Sequence, residues 1–198
     1  AAADRMGAGT SRIGGLSDKQ IQKYVKETGF APSELEFLYR RFKSLCKRGD
    51  TLSRADVSDN EHLKANPYVN RLYSVMPKNE FGEVTFDTFV TTAAVFRPGK
   101  DINGKLQFIF NLFDYNMDDT LEAHELSDMI KTVRPDIADD ENEELVKKTM
   151  ADILAKGGDL YKDGEVHGKS FIAYAKLLPG IDKLLTLNLA DELNLKVE

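Results

Sequence analysis

The sequence predicts an all-α protein of four helix–loop–helix units in two lobes, with short two-residue β bridges between paired loops. Two observations predict it. The first is a set of apolar stripes at i, i+3, i+4 and i+7, the spacing of one helix face. They run Leu35, Leu38, Phe42, Leu45; Val69, Leu72, Tyr73, Met76; Phe86, Phe89, Val90, Ala93; Leu106, Ile109, Phe110, Phe113; Leu126, Met129, Ile130, Val133; and Phe171, Tyr174, Ala175, Leu178. The second is a lone aliphatic residue inside a polar loop, at Leu52, Val84, Leu121 and Val166. Two such loops can bridge through their aliphatic positions, so four of them make two lobes.

Residues 1–16 read as a flexible leader. Ala1 to Arg5 precede Met6, the expected native start, and Met6-Gly7-Ala8-Gly9-Thr10-Ser11 fits the pattern in which Gly7 is myristoylated once Met6 is removed. Residues 17–97 form the expected first lobe. Within it Ser33 and Glu36, just after Pro32, predict a capping box that opens the helix of Leu35. Helical periodicity breaks at Arg97-Pro98-Gly99-Lys100-Asp101-Ile102-Asn103-Gly104, so 98–104 reads as a linker to a second lobe over 105–180. Residues 181–198 form an apolar tail with Leu184, Leu185, Leu187, Leu189, Leu193 and Leu195. Burial of each leucine is worth about 1.5–3 kcal/mol, so the tail is expected either to latch over a groove or to be a fixed final helix.

Composition narrows the function. Of 198 residues, 27 are Lys or Arg and 33 are Asp or Glu, for a net charge of −6 without a basic block, so nucleic acid is not an expected partner. With 41% hydrophobic and 30% charged residues the chain is expected to fold. It has neither an apolar run of about 18 residues nor the apolar core of a secretory signal, and Cys46 is its only cysteine. A soluble cytoplasmic protein is expected, attached reversibly to membranes through one acyl chain. Cys46 reads as a half-buried structural residue near a helix end.

The third loop carries the chemistry. Calcium takes six to eight oxygens, and a twelve-residue loop supplies them from positions 1, 3, 5, 7 and 9 with a bidentate carboxylate at 12. Asp114, Asn116 and Asp118 fill positions 1, 3 and 5, Thr120 offers its carbonyl at 7, Glu122 stands at 9 and Glu125 at 12. Asp119 replaces the usual turn glycine at position 6, at a modest cost. The fourth loop keeps Asp159, Asp163 and Gly164 but has Tyr161 at position 3 and Ser170 at 12, so it is not expected to bind calcium. The second, beginning at Pro77 with Phe81 at position 5 and Thr88 at 12, reads as structural. So does the first, with Leu45, Cys46, Lys47 and Arg48 where ligands belong. One calcium site in four EF-hand units is the result. His62, His124 and His167 lie apart without zinc spacing, and no phosphate loop or nucleophile motif is present, so no enzyme is expected.

Several segments resemble the calcineurin B-like EF-hand proteins, most of all the calcineurin B homologous proteins. They are Lys26-Glu27-Thr28-Gly29-Phe30, Leu38-Tyr39-Arg40-Arg41-Phe42-Lys43-Ser44-Leu45, Leu63-Lys64-Ala65-Asn66-Pro67, Phe96-Arg97-Pro98, Asp119 at its loop position, and Gly180-Ile181-Asp182-Lys183. The resemblance implies a myristoylated, calcium-regulated accessory subunit. Its hydrophobic groove would hold an amphipathic helix of a larger partner, such as a phosphatase catalytic subunit or the cytoplasmic part of an ion exchanger. Loss of ligands in three loops sets the chain apart from an ordinary calcineurin regulatory subunit. The calcium- and integrin-binding adaptors share the Leu-Lys-Ala-Asn-Pro segment and are one alternative; a calcineurin regulatory subunit is the other. A free calcium buffer gains from several good sites, which this chain lacks.

Overall fold

Ser17 ends a short strand and opens a helix. Its hydroxyl accepts from the Gln20 N–H at 3.4 Å while its own N–H donates to Gln20 Oε1 at 3.0 Å, a reciprocal cap that starts α1 (Asp18–Thr28). The computed structural model describes residues 12–13, 15–64, 69–157, 161–162 and 164–186, and the chain divides into two units between Ala94 and Val95.

In the first unit β1 (Arg12–Ile13) pairs with β2 (Leu16–Ser17) in an antiparallel hairpin, Ile13 opposite Leu16. The end of the leader is thus part of the fold, and Leu16 is fully buried. Gly15 turns the chain at φ +101, and a Cβ there would lie 2.8 Å from the Tyr39 ring. The Gly14-Gly15 pair between two aliphatic residues was the available signal.

α1 ends at Gly29, which donates to the Val25 carbonyl from a left-handed conformation. α2 (Pro32–Leu45) starts earlier than the expected Ser33–Glu36 box allows. Pro32 takes the first helical position, where its missing N–H costs nothing, so Glu34 becomes the third residue and accepts from the Ala31 N–H at 2.7 Å. After β3 (Thr51–Leu52) come α3 (Arg54–Ser58), α4 (Glu61–Lys64) and α5 (Val69–Val75), then β4 (Val84–Thr85) and α6 (Phe86–Val95). β3 and β4 pair antiparallel with Leu52 opposite Val84, as the repeated aliphatic positions require. Phe86 is the hub of this core. It meets Tyr24 and Tyr39 edge-on at 5.3 and 5.0 Å and Phe42 at 5.7 Å, geometries the ring quadrupoles favour.

In the second unit Asp101 caps the Asn103 N–H at 3.1 Å and starts α7 (Ile102–Phe113). The last three residues of the expected linker, 102–104, are therefore helical. β5 (Thr120–Leu121) leads to α8 (Ala123–Val133) and α9 (Asp139–Gly157); β6 (Tyr161–Lys162), β7 (Glu165–His167), α10 (Gly168–Ala175) and α11 (Ile181–Leu184) follow. Leu121 pairs with Val166, again as the repeat requires, and the sheet order is β5-β7-β6. Leu106, Phe110, Phe113, Leu126, Ile153 and Phe171 are buried here, with Phe110 and Phe171 5.9 Å apart. The stripes end in solvent at Val133 and Leu178. α9 had no stripe to announce it, because its buried set of Asn142, Val146 and Ile153 is sparse and mixed.

Lys105 on α7 is fully buried, and its ammonium donates to Asp182 Oδ1 at 2.8 Å and Thr186 Oγ1 at 2.7 Å. A buried ammonium stripped of its partners costs about 1–3 kcal/mol or more, so these contacts hold residues 181–186 to α7. The apolar tail is thereby pinned at its root; residues 187–198 lie outside those described. No described helix is long and apolar enough to cross a membrane.

Candidate metal centre

The loop between α7 and α8 gathers the six expected residues on one twelve-residue turn. Asp114 ends α7 and is buried; Oδ1 accepts from the Asp118 N–H at 3.3 Å and Oδ2 from the Asp119 N–H at 3.2 Å. Asn116 donates through Nδ2 to Asp118 Oδ2 at 2.8 Å and to Glu122 Oε1 at 3.4 Å. Asp118 Oδ1 accepts from both the Thr120 N–H, at 2.9 Å, and the Thr120 hydroxyl, at 2.6 Å. That hydroxyl bond is the largest of the contacts holding the Asp118 carboxyl below the usual carboxylate range. Glu122 caps α8 and lies 3.1 Å from His124 Nδ1. Glu125 is 1% exposed and spans the loop, Oε1 accepting from the Tyr115 N–H at 2.6 Å and Oε2 from the Glu122 N–H at 2.9 Å. Met117 and Asp119 carry the left-handed turns, φ +61 and +66.

These side chains fit a hard cation. All offer oxygen, four are carboxylates, and the loop contains no lysine or arginine. Among the described residues no three acidic, His or Cys side chains form a ready-made cage. Loop N–H groups take the carboxylate lone pairs instead. Asp114, Asn116, Asp118, Glu122, Glu125 and the Thr120 carbonyl are the groups that would hold calcium.

The other loops meet the same crowding of oxygens differently. In the first, the Lys43 ammonium donates to the Gly49 carbonyl at 2.7 Å and pairs with the Asp50 carboxylate. Asp56 stands at position 12 there, buried, and does in miniature what Glu125 does. It accepts from the Lys47 N–H at 3.1 Å and from the Ser53 N–H and hydroxyl at 2.9 and 2.7 Å. In the second loop the Lys78 ammonium donates to three carbonyls, of Tyr73, Ser74 and Met76, at 2.6, 3.1 and 2.7 Å. Asn79 Oδ1 closes the turn on the Phe81 and Glu83 N–H groups. None of Lys43, Asp56, Lys78 and Asn79 is marked by the ligand spacing of the sequence, although counting four residues from Leu52 finds Asp56. The fourth loop folds back as a hairpin, Tyr161 opposite Val166 with Gly164 at φ +89. Asp159 and Asp163 lie outside the described residues, and Ser170 at position 12 is buried. Cys46 is half-buried, and burial pushes its thiol up to about 11.

Helix–loop–helix units with twelve-residue loops, paired through short antiparallel bridges, define an EF-hand protein. No family model matches the chain. Curated relatives do, three calcineurin B proteins among them. It is 31% identical over 175 residues to calcineurin B of Naegleria gruberi, covering 87% of this chain and 93% of that protein. It is 29% identical over 175 residues to calcineurin B type 1 of Dictyostelium discoideum, covering 87% and 94%. The type 2 protein of the same organism is 28% identical over 152 residues, covering 75% and 83%. The chain belongs to the calcineurin B-like EF-hand family.

Burial pushes the Asp56 carboxyl up, but the Ser53 and Lys47 hydrogen bonds outweigh it and hold the group below its ordinary value. A carboxyl lowered on folding adds stability that is present above its unfolded value of about 3.9 and is lost as pH falls through the folded one. Acid titration followed by circular dichroism should show stability falling as pH drops below the ordinary carboxylate value of about 3.9, with a shallower fall in Asp56→Asn. Parallel curves would remove Asp56 from the acid response.

Proposed function

We propose that this chain is a calcium-binding regulatory subunit, without catalytic activity of its own, that holds an amphipathic helix of a larger protein in a hydrophobic groove. The observation that carries the reading is the third loop. Its oxygen donors stand at every calcium position, in a chain whose relatives are named as subunits of calcineurin. A phosphatase catalytic subunit or an ion-exchanger cytoplasmic segment is the kind of partner the calcineurin B homologous resemblance suggests. One good loop suits a regulatory switch better than a buffer.

Calorimetry should find one calcium per chain, with a dissociation constant of about 10⁻⁷ to 10⁻⁵ M. At a hundredfold excess over that constant, binding adds about 2.7 kcal/mol to the stability of the second unit. Glu125→Gln should abolish the site; two comparable sites, or binding that survives the substitution, would contradict it.

The same proposal includes a cytoplasmic location and reversible membrane attachment through a myristoyl group on Gly7, which lies outside the described residues. Its support is the Met6-Gly7-Ala8-Gly9-Thr10-Ser11 pattern. One acyl chain binds at only about 10⁴ M⁻¹, so the partner must supply the remaining anchorage. Coexpressed with an N-myristoyltransferase from Met6 onward, the chain should take up labelled myristate and sediment with vesicles, and Gly7→Ala should do neither. Equal labelling of the two would exclude Gly7.

A further inference from the structure

Arg40 and Arg41 stand exposed on the second half of α2, and Arg48 stands exposed just past its end. The lysines between them are neutralised, Lys43 by the Asp50 carboxylate and Lys47 by Asp59 Oδ2 at 3.3 Å. The three guanidinium groups are not: among the described residues none of them makes a hydrogen bond or an ion pair. Glu36 lies one turn before Arg40, at the i, i+4 spacing that favours a pair, yet forms none with it. Ser44, also exposed, extends the same helix face, because positions 40, 41 and 44 are neighbours on the surface of a helix. A chain of net charge −6 thus carries uncompensated positive charge along one short surface.

The same surface adjoins the point where the leader joins the fold. The β1–β2 hairpin turns at Gly15, which packs so closely on α2 that a Cβ there would lie 2.8 Å from the ring of Tyr39, the residue before Arg40. Gly7 is five residues before Arg12, a span of at most about 18 Å, so an acyl chain on Gly7 leaves the protein near this end of α2. One acyl chain holds a protein to a bilayer only marginally, and a basic surface beside it is one of the second signals that make attachment stable. We infer that the outer face of α2, through Arg40, Arg41 and Arg48, lies on an anionic membrane surface and takes a share of the anchorage that the partner would otherwise supply alone. The inference rests on the acylation of Gly7. Guanidinium groups suit the task, since they stay charged at every physiological pH and can bind phosphate oxygens two at a time. With a net charge of −6 the chain as a whole is repelled by an anionic leaflet, so contact requires this face to turn toward it.

The chain from Met6 onward, coexpressed with an N-myristoyltransferase, would be sedimented with vesicles of phosphatidylcholine alone or mixed with phosphatidylserine. Wild type would be compared with two triple variants, Arg40→Gln/Arg41→Gln/Arg48→Gln on the face and Lys100→Gln/Lys147→Gln/Lys148→Gln in the second unit, all matched for myristate label and circular dichroism. Each basic residue at an anionic surface is worth about fivefold in binding, so the arginine variant should bind the mixed vesicles about a hundredfold more weakly than wild type, with the gap closing at high salt. On plain vesicles the two should bind equally, and the lysine variant should follow wild type on both. Equal binding of the arginine variant and wild type to the mixed vesicles, or an equal loss in the lysine variant, would overturn the role of this face and leave acylation standing. Tighter arginine-dependent binding to a polyglutamate peptide than to the mixed vesicles would assign the face to an acidic protein segment and overturn the membrane. A wild type that takes up no label, a result read before any vesicle is added, would overturn the Gly7 reading and this inference with it.

Discussion

A helix–loop–helix turn crowds carboxylates and backbone carbonyls into a small volume, and something positive must meet them. The source of that positive charge organises the rest of this protein. In the first unit it is tethered to the chain. Lys78 places its ammonium among three carbonyls at the end of α5, and Lys43 reaches the Gly49 carbonyl and the Asp50 carboxylate. Lys43 thus meets oxygens of the first loop and Lys78 the carbonyls that end α5, and the two loops are bridged by Leu52 against Val84. The third loop has four carboxylates at loop positions 1, 5, 9 and 12 and no lysine or arginine, and loop N–H groups, the Thr120 hydroxyl and His124 stand against them. On the proposed reading, a divalent cation supplies that charge.

Much of this was legible in the chain. The aliphatic positions Leu52, Val84, Leu121 and Val166 named both bridges because a two-residue strand inside a polar loop leaves a single side chain to bury. The ligand spacing from Asp114 to Glu125 was equally plain, since all six residues belong to one local turn. What escaped the sequence depends on distant partners or on the backbone. Lys105 finds Asp182 and Thr186 across most of the unit, and those contacts leave no periodic trace. The start of α2 is moved by a short-range competition, in which Pro32 claims the first helical position and hands the capping role to Glu34.

The two units thus divide the work. The first is a braced core around Phe86 whose degenerate loops are closed by lysines and by Asp56. The second carries the acidic loop, the β5–β7 bridge that leads into α10, and the clamp on the root of the tail. Ligand binding stabilises only the conformations it prefers, so a cation held by the third loop acts on the second unit first.

The most direct test of this division is hydrogen exchange across the whole chain with calcium and with chelator. The account predicts that calcium slows exchange in the third loop and in α7, α8 and α10, while the amides of α2, α5 and the β3–β4 bridge exchange at the same rate in both conditions. Comparable protection gained in the first unit's loops, or lost from them on chelation, would show that lysines do not replace a metal there and would contradict the account.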